Sequence, residues 1–189
     1  PTLRPKVKIC CIQNIAEARM AVDNGASAIG LVSEMPSGPG PIPEERIAEI
    51  AATIPVGVST FLLTSKQDAP SIIRQQKRTG ANTLQIVDVV PFDTYRQLRD
   101  SIPGIALVQV IHVQGEESVD EALAVSGHVD AVLLDSGNPK APVKLLGGTG
   151  RVHDWSISRK IREAIPIPLF LAGGLRGENV RQAIEQVQP

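Results

Sequence analysis

Three short stretches carry side chains and glycines suited to chemistry. Lys6 to Cys10 is a β-type run that ends on a thiol. Asp130 to Trp155 reads DAVLLDSGNPKAPVKLLGGTGRVHDW: an apolar run that stops on a carboxylate, Asp135, and a Pro- and Gly-bearing loop closed by Gly147-Gly148-Thr149-Gly150. Pro168 to Leu171 runs into Ala172-Gly173-Gly174. A thiolate can take a proton from carbon, a carboxylic acid can deliver one, and glycine N–H groups with no Cβ in the way can hold a phosphate. Where parallel strands end is also where ligands sit in α/β sheets and barrels. If the three tips share a face, a base, an acid and an anion cradle converge there. Blander readings stand beside each: a free Cys as a small hydrophobe, Asp135-Ser136-Gly137 as an Asx-turn, the glycines as a flexible loop.

These tips need strands and helices to position them. Strand-like runs fall at Lys6 to Cys11, Ser27 to Val32, Val56 to Leu62, Thr83 to Val87, Ala106 to Val113, Val129 to Leu134 and Pro168 to Leu171. Helical patterns separate them: from an Asn14 cap to Gly25, Pro43 to about Ala52, Asp68 or Ser71 to Thr79, Phe92 to Ser101, Glu117 to Val125, Asp154 to Ala164, and Glu178 to Val187. Strands alternating with helices imply parallel neighbours, since each parallel pair needs a crossover. The runs are short and rich in Val, Ile and Leu, which suits burial on both faces. No Gly-x-Gly-x-x-Gly follows the first strand. The expected fold is therefore α/β, a (β/α)8 TIM-type barrel in one domain, 1–189, with seven βα units visible. An eighth strand is expected to lie past Pro189, or closure is made differently.

Composition narrows the partners. Of 189 residues 42% are hydrophobic, and 19 basic residues nearly balance 20 acidic ones, so bulk charge attracts no nucleic acid. No run of about 18 apolar residues and no signal-peptide succession is visible, which predicts a cytoplasmic protein without membrane contact. The only two cysteines, Cys10 and Cys11, are adjacent. In an extended strand such side chains point to opposite faces, and an adjacent pair is a poor disulfide. His112, near the fifth strand tip, and His153 are of a type that can titrate near neutral pH, but a lone histidine more often serves as a structural residue. Lys140 and Lys144 read as a solvated pair, with a lesser role in steering anions.

Four stretches together resemble the phosphoribosylanthranilate isomerase family: Lys8-Ile9-Cys10, Leu133-Leu134-Asp135, Gly147-Gly148-Thr149-Gly150 with Asp154-Trp155, and Leu171-Ala172-Gly173-Gly174-Leu175 with Glu178-Asn179-Val180. The resemblance implies a (β/α)8 enzyme of tryptophan biosynthesis. Its reaction would be an Amadori rearrangement of a phosphorylated sugar amine, with no metal or organic cofactor. It assigns the general base to Cys10 and the general acid to Asp135. A phosphate site at Gly148, Gly173 and Gly174 agrees with it, because in such barrels the loop after strand seven is a phosphate-binding place. A thiol near its free pKa of about 8.5 is only a few per cent ionised at neutral pH, and Lys8, on the same face, would raise that fraction.

The chain also departs from the family pattern. Where the family carries Ser-Pro-Arg, with the Arg expected to clamp the anthranilate carboxylate, this chain reads Ser37-Gly38-Pro39-Gly40-Pro41, with no Arg before Arg46. Such a charged contact is worth ~1.5 to 3 kcal/mol. The fourth strand ends Gln85-Ile86-Val87-Asp88 in place of Gln-Leu-His-Gly, and Cys11 stands where the family has Gly. Two rivals to the isomerase are therefore a sugar-phosphate-binding barrel without catalysis and one of altered specificity. With Cys11 pointing away from the pocket, Cys11→Gly is expected to cost little.

Overall fold

The computed structural model describes residues 5–189 and divides into two compact units. The first takes in the described residues up to Met35 together with Pro39–Ala106; the second takes in Pro36–Gly38 and Leu107–Pro189.

In the first unit the order is β1 (Lys8–Ile9), α1 (Ile15–Asp23), β2 (Ala28–Val32), α2 (Glu44–Ala51), β3 (Ser59–Thr64), α3 (Ala69–Thr79), β4 (Thr83–Ile86) and α4 (Phe92–Ser101). Each strand pairs in parallel with the next, Ile9 beside Ile29, Gly30 beside Phe61 and Leu62 beside Leu84. β2 and β4 are buried along their whole length, as expected for strands covered on both faces. The core forms where Ile29, Leu31, Leu62, Leu84 and Ile86 meet the helix residues Ile47, Ile50, Ile72 and Leu98, all fully buried. A polar clasp fixes one end of the sheet: the Thr60 amide donates to Asn82 Oδ1 at 2.9 Å, and the Asn82 amide returns to Thr60 Oγ1 at 3.0 Å.

The second unit continues with β5 (Ala106–His112), α5 (Glu117–Ser126), β6 (Ala131–Asp135), α6 (Trp155–Ala164), β7 (Leu169–Leu171) and α7 (Val180–Val187). Its strands are parallel too, with His112 beside Asp135 and Leu134 beside Leu171. Leu107, Ile111, Val132, Leu134, Ile161 and Val187 are fully buried or nearly so and form its core.

The elements match the expected succession, and their edges move for local reasons. The third strand begins at Ser59 rather than Val56, because Gly57 is left-handed at φ 97° and the Val58 amide turns back onto the Pro55 carbonyl. β1 ends at Ile9, and by Cys11 the backbone is already left-handed at φ 59°. β6 runs one residue further than expected and closes on Asp135 itself. α7 opens at Val180 rather than Glu178. No helix among the described residues is long and apolar enough to cross a membrane.

Helix α1 shows how directly the sequence sets local structure. Asn14 caps it by accepting from the Glu17 amide at 2.9 Å, while Glu17 reaches back to accept from the Gln13 amide at 2.8 Å. This reciprocal pairing satisfies donors that the first turn leaves open. Asn14→Ala should lower unfolding stability by about 1 kcal/mol in a denaturant titration, with an unchanged midpoint counting against the cap.

Candidate active site

In the first unit the site begins at the end of β1. Lys8 and Cys10 lie on one face of the chain, two residues apart, and both side chains cross the neighbouring strand at Gly30. A Cβ built on Gly30 would stand 2.6 Å from Cys10 Sγ and 3.0 Å from Lys8 Nζ, so only glycine lets the thiol and the ammonium lie there together. Lys8 Nζ is held 5.4 Å from the centre of the Phe61 ring on β3, a cation–π contact that aims the ammonium across the sheet.

Cys11 does not behave as the next residue of a strand. Its φ of 59° costs a non-glycine residue about 1–2 kcal/mol and ends the alternation of the strand. The Cys11 thiol donates to the Pro39 carbonyl at 3.8 Å and lies close over Gly40. Both cysteines are free thiols. The Cys11 side chain, as a hydrogen-bond donor, is the largest influence on Cys10, whose pKa is pulled down to about 5. Packing around the sulfur works against it, while the Lys8 charge and the Cys11 amide reinforce it. Cys10 as a residue keeps an exposed edge, so a thiolate here is both formed and reachable. The sequence pointed to Lys8 and Cys10. It missed that β1 ends before Cys11, and it missed the part of Gly30, whose signal was a glycine inside an apolar strand.

The second unit has a candidate cluster of its own, built around Asp135. Its Oδ1 accepts from the amide of the next residue, Ser136, at 2.7 Å, one residue short of the Asx-turn the sequence allowed. Two loops close on the carboxylate where glycines leave room: a Cβ on Gly147 would lie 2.7 Å from Oδ2, and one on Gly173 would lie 3.1 Å from Oδ1. Ser136 Oγ ties the long loop down, sharing a hydrogen bond of 2.7 Å with Thr149 Oγ1 and donating to the Arg151 carbonyl at 2.6 Å. Ser136 was not anticipated as a clamp.

Gly148, Gly173 and Gly174 all adopt left-handed backbones, at φ 65°, 87° and 64°. Gly174 is needed in any case, since a Cβ there would meet the Arg151 carbonyl carbon at 2.7 Å. Among the described residues the amides of these three glycines donate to no protein acceptor, which leaves them available to an anion. The α7 terminus does not follow Gly174 directly: a turn intervenes, in which Asn179 accepts from the Arg176 amide at 2.7 Å and donates to the Gly174 carbonyl at 3.0 Å. The loop at Ser37 is drawn to the same unit, Ser37 Oγ donating to the Lys144 carbonyl at 2.5 Å. Arg46, the first arginine after it, lies in α2 and pairs with Glu49 at 3.7 Å. Among the described residues no cluster of three or more His, Cys, Asp or Glu side chains is arranged for a metal ion.

The family model for N-(5'-phosphoribosyl)anthranilate isomerase matches residues 7–189. N-(5'-phosphoribosyl)anthranilate isomerase 2 of Methanosarcina mazei is 35% identical over 188 residues, spanning 97% of this chain and 81% of the relative. The isomerase of Thermosynechococcus vestitus is 32% identical, over 98% of this chain and 78% of its own. Phosphoribosyl anthranilate isomerase from Thermotoga maritima matches in structure with a TM-score of 0.83 at 28% identity, covering 98% of this chain and 85% of that one. A phosphoribosyl anthranilate isomerase in complex with reduced 1-(o-carboxyphenylamino)-1-deoxyribulose 5-phosphate matches with a TM-score of 0.80 at 26% identity, covering 98% and 84%. The fold class is the TIM-type (β/α) barrel that the sequence predicted.

His153 stands beside Asp135 and Gly173. Its Nε2 hydrogen-bonds Ser158 Oγ at 2.8 Å, and its Nδ1 is buried without a partner. Burial holds the imidazole below its ordinary range, while the charges of Asp135 and Asp154 pull the other way. In the unfolded chain the ring takes up a proton near pH ~6.5, and in the folded one only at lower pH. Its contribution to stability is therefore complete above that pH and is lost as the pH falls below it. Thermal melts at pH 7.5 and pH 5 should show a smaller acid-induced drop for His153→Gln than for the native chain. Equal drops would show that His153 does not couple stability to pH.

Proposed function

The chain belongs to the phosphoribosylanthranilate isomerase family, and from that membership we propose that it catalyses the Amadori rearrangement of N-(5'-phosphoribosyl)anthranilate in tryptophan biosynthesis. The observation that carries the reading is the thiolate at the end of β1, with Cys10 drawn to a pKa of about 5 beside Lys8. Whole-chain similarity to named isomerases, and a structural neighbour holding a reduced 1-deoxyribulose 5-phosphate compound, support the substrate class.

In the proposed mechanism Asp135 gives its proton to the furanose ring oxygen as the C1–O bond breaks, leaving an iminium at C1. Cys10 thiolate then removes the proton from C2, and the electron pair of that C–H bond forms the enolamine. The enol hydroxyl loses its proton, C1 gains one, and the product is a 1-amino-1-deoxyribulose phosphate. Only protons move and no electron count changes, so the sequence asks for no metal or organic cofactor. The amides of Gly148, Gly173 and Gly174 hold the substrate phosphate, using left-handed glycines that form an anion nest. This reading takes 1–189 as a single barrel domain, working in the cytoplasm on a small phosphorylated sugar amine.

A second reading concerns the aromatic end. The segment Ser37–Pro41 holds no cation, Ser37 is committed to the Lys144 carbonyl, and Arg46 is engaged with Glu49. An aglycone lacking the carboxylate then loses little on binding.

Turnover of phosphoribosyl anthranilate, followed by anthranilate fluorescence, tests both readings. Cys10→Ala and Asp135→Asn should each slow it by ~10² or more. A native chain inactive on anthranilate but active on a carboxylate-free relative would identify the altered aglycone. Inactivity on every phosphoribosyl amine would remove the catalytic reading. Inorganic phosphate should compete with substrate, and Gly148→Ala should weaken that inhibition about tenfold. Unchanged inhibition would place the phosphate elsewhere.

A further inference from the structure

We propose that Phe61 is a positioning residue: its ring holds the Lys8 ammonium over the bare Cα of Gly30, on the same patch of backbone as the Cys10 sulfur. The consequence for turnover rests on the reading of Cys10 as base; the placement of Lys8 does not.

Strand register brings the four residues together. Gly30 of β2 pairs with Phe61 of β3, and on its other side the chain leaving β1 sets Cys10 against it, with Cys10 Cα 3.1 Å from where a Gly30 Cβ would stand. Cross-strand neighbours present their side chains on one face of a sheet. Cys10, the bare Gly30 and Phe61 therefore form a row, and Lys8, two residues back, shares its face.

Neighbouring strands lie about 4.8 Å apart, so a side chain reaching from β1 toward β3 must pass over β2. It can do so only where nothing rises from the middle strand. A Cβ on Gly30 would stand 3.0 Å from Lys8 Nζ and 2.6 Å from Cys10 Sγ, so the ammonium and the sulfur both occupy the gap that glycine leaves. Beyond that gap the Phe61 ring receives the ammonium over its face, 5.4 Å from the ring centre.

A buried phenylalanine on a strand is ordinarily a core filler. Here a charge sits over it, and the surroundings leave the ring in control of that charge. Phe61 is 3% exposed, so its ring is fixed by packing, while the lysine stem is long and free to turn. None of the strands β1 to β4 carries an acidic side chain, and Phe61 is their only aromatic residue. Glu17 of α1, which borders the same groove as Cys10, is engaged with the Gln13 amide and the Asn14 side chain. The negative face of an aromatic ring attracts a cation most where water is scarce, and Lys8 is half-buried.

A cation kept near a sulfur favours the thiolate, and its effect falls as the cation spends time in solvent. The lowered pKa of Cys10, to which the Lys8 charge contributes, agrees with this placement.

The test replaces Phe61, in the whole chain, by phenylalanines carrying one, two and three ring fluorines, which keep the ring's shape and weaken its negative face stepwise. The quantity read is the rate of Cys10 alkylation by iodoacetamide against pH, without substrate, by fragment-ion mass spectrometry that separates Cys10 from Cys11. The native chain should reach half its limiting rate near pH 5. That point should climb with each fluorine toward the value for Lys8→Met, itself about one pH unit or more above native. In the Lys8→Met background fluorination should change nothing. A half-point independent of fluorine would overturn the proposal, as would the same fluorine effect with and without Lys8. Should fluorination shift alkylation while Cys10→Ala retains turnover, the role of Phe61 stands and the assignment of Cys10 as base falls instead.

Discussion

The bare Cα of Gly30 is the constraint on which the candidate site of the first unit depends. A methyl group there would press within 2.6 Å of Cys10 Sγ and 3.0 Å of Lys8 Nζ, and neither could remain where it is. Glycine inside a strand weakens it, yet β2 is buried along its length and bracketed by β1 and β3, which offset the loss. What the strand gives up in intrinsic preference it returns as a place where a thiol and an ammonium lie against backbone. Lys8 is drawn across β2 by the Phe61 ring on β3, whose centre lies 5.4 Å from its Nζ. A charge fixed beside a sulfur stabilises the thiolate without having to reorganise when the proton leaves.

The second unit reaches a comparable end by other means. Asp135 terminates β6, and its carboxylate is bordered by Gly147 and Gly173 from two loops and capped by the Ser136 amide. The hydroxyl of Ser136 then binds Thr149 and the Arg151 carbonyl, so the residue after the carboxylate anchors the loop that covers it. Trp155, at the start of α6, and Leu146, within the loop, are both buried and seat its two ends in the core. Glycines recur here because two loops and a side chain meet at backbone distance, where any Cβ is an obstruction.

Much of this was legible in the sequence, and what was not has a common cause. Alternating apolar runs gave the seven strands and seven helices found among the described residues, because burial on both faces leaves a strong compositional mark. Caps were legible where side chain and backbone are close in sequence, as at Asn14 and Asp68. Cys10 and Asp135 stood out as reactive types at strand ends. Cys11 was misread because alternation holds only while the strand lasts, and β1 ends before it. The roles of Gly30, Gly40 and Ser136 depend on neighbours brought near by folding, such as Gly30 meeting Cys10 across a strand pair, which no local pattern encodes. His153 was noticed as titratable, but its burial beside Asp135 belongs to the packing of the long loop on β6 and β7.

The central claim is that this fold delivers a ready thiolate at Cys10 to the isomerisation. The pH dependence of kcat/KM for phosphoribosyl anthranilate tests it most directly, because that parameter reports ionisations of the free enzyme. With Cys10 ionised from about pH 5 upward, the profile should show no rise between pH ~7 and ~9, the range in which an ordinary thiol near ~8.5 would titrate. A rate that climbs through that range with unit slope would mean that Cys10 enters the reaction as an unassisted thiol, contradicting the account.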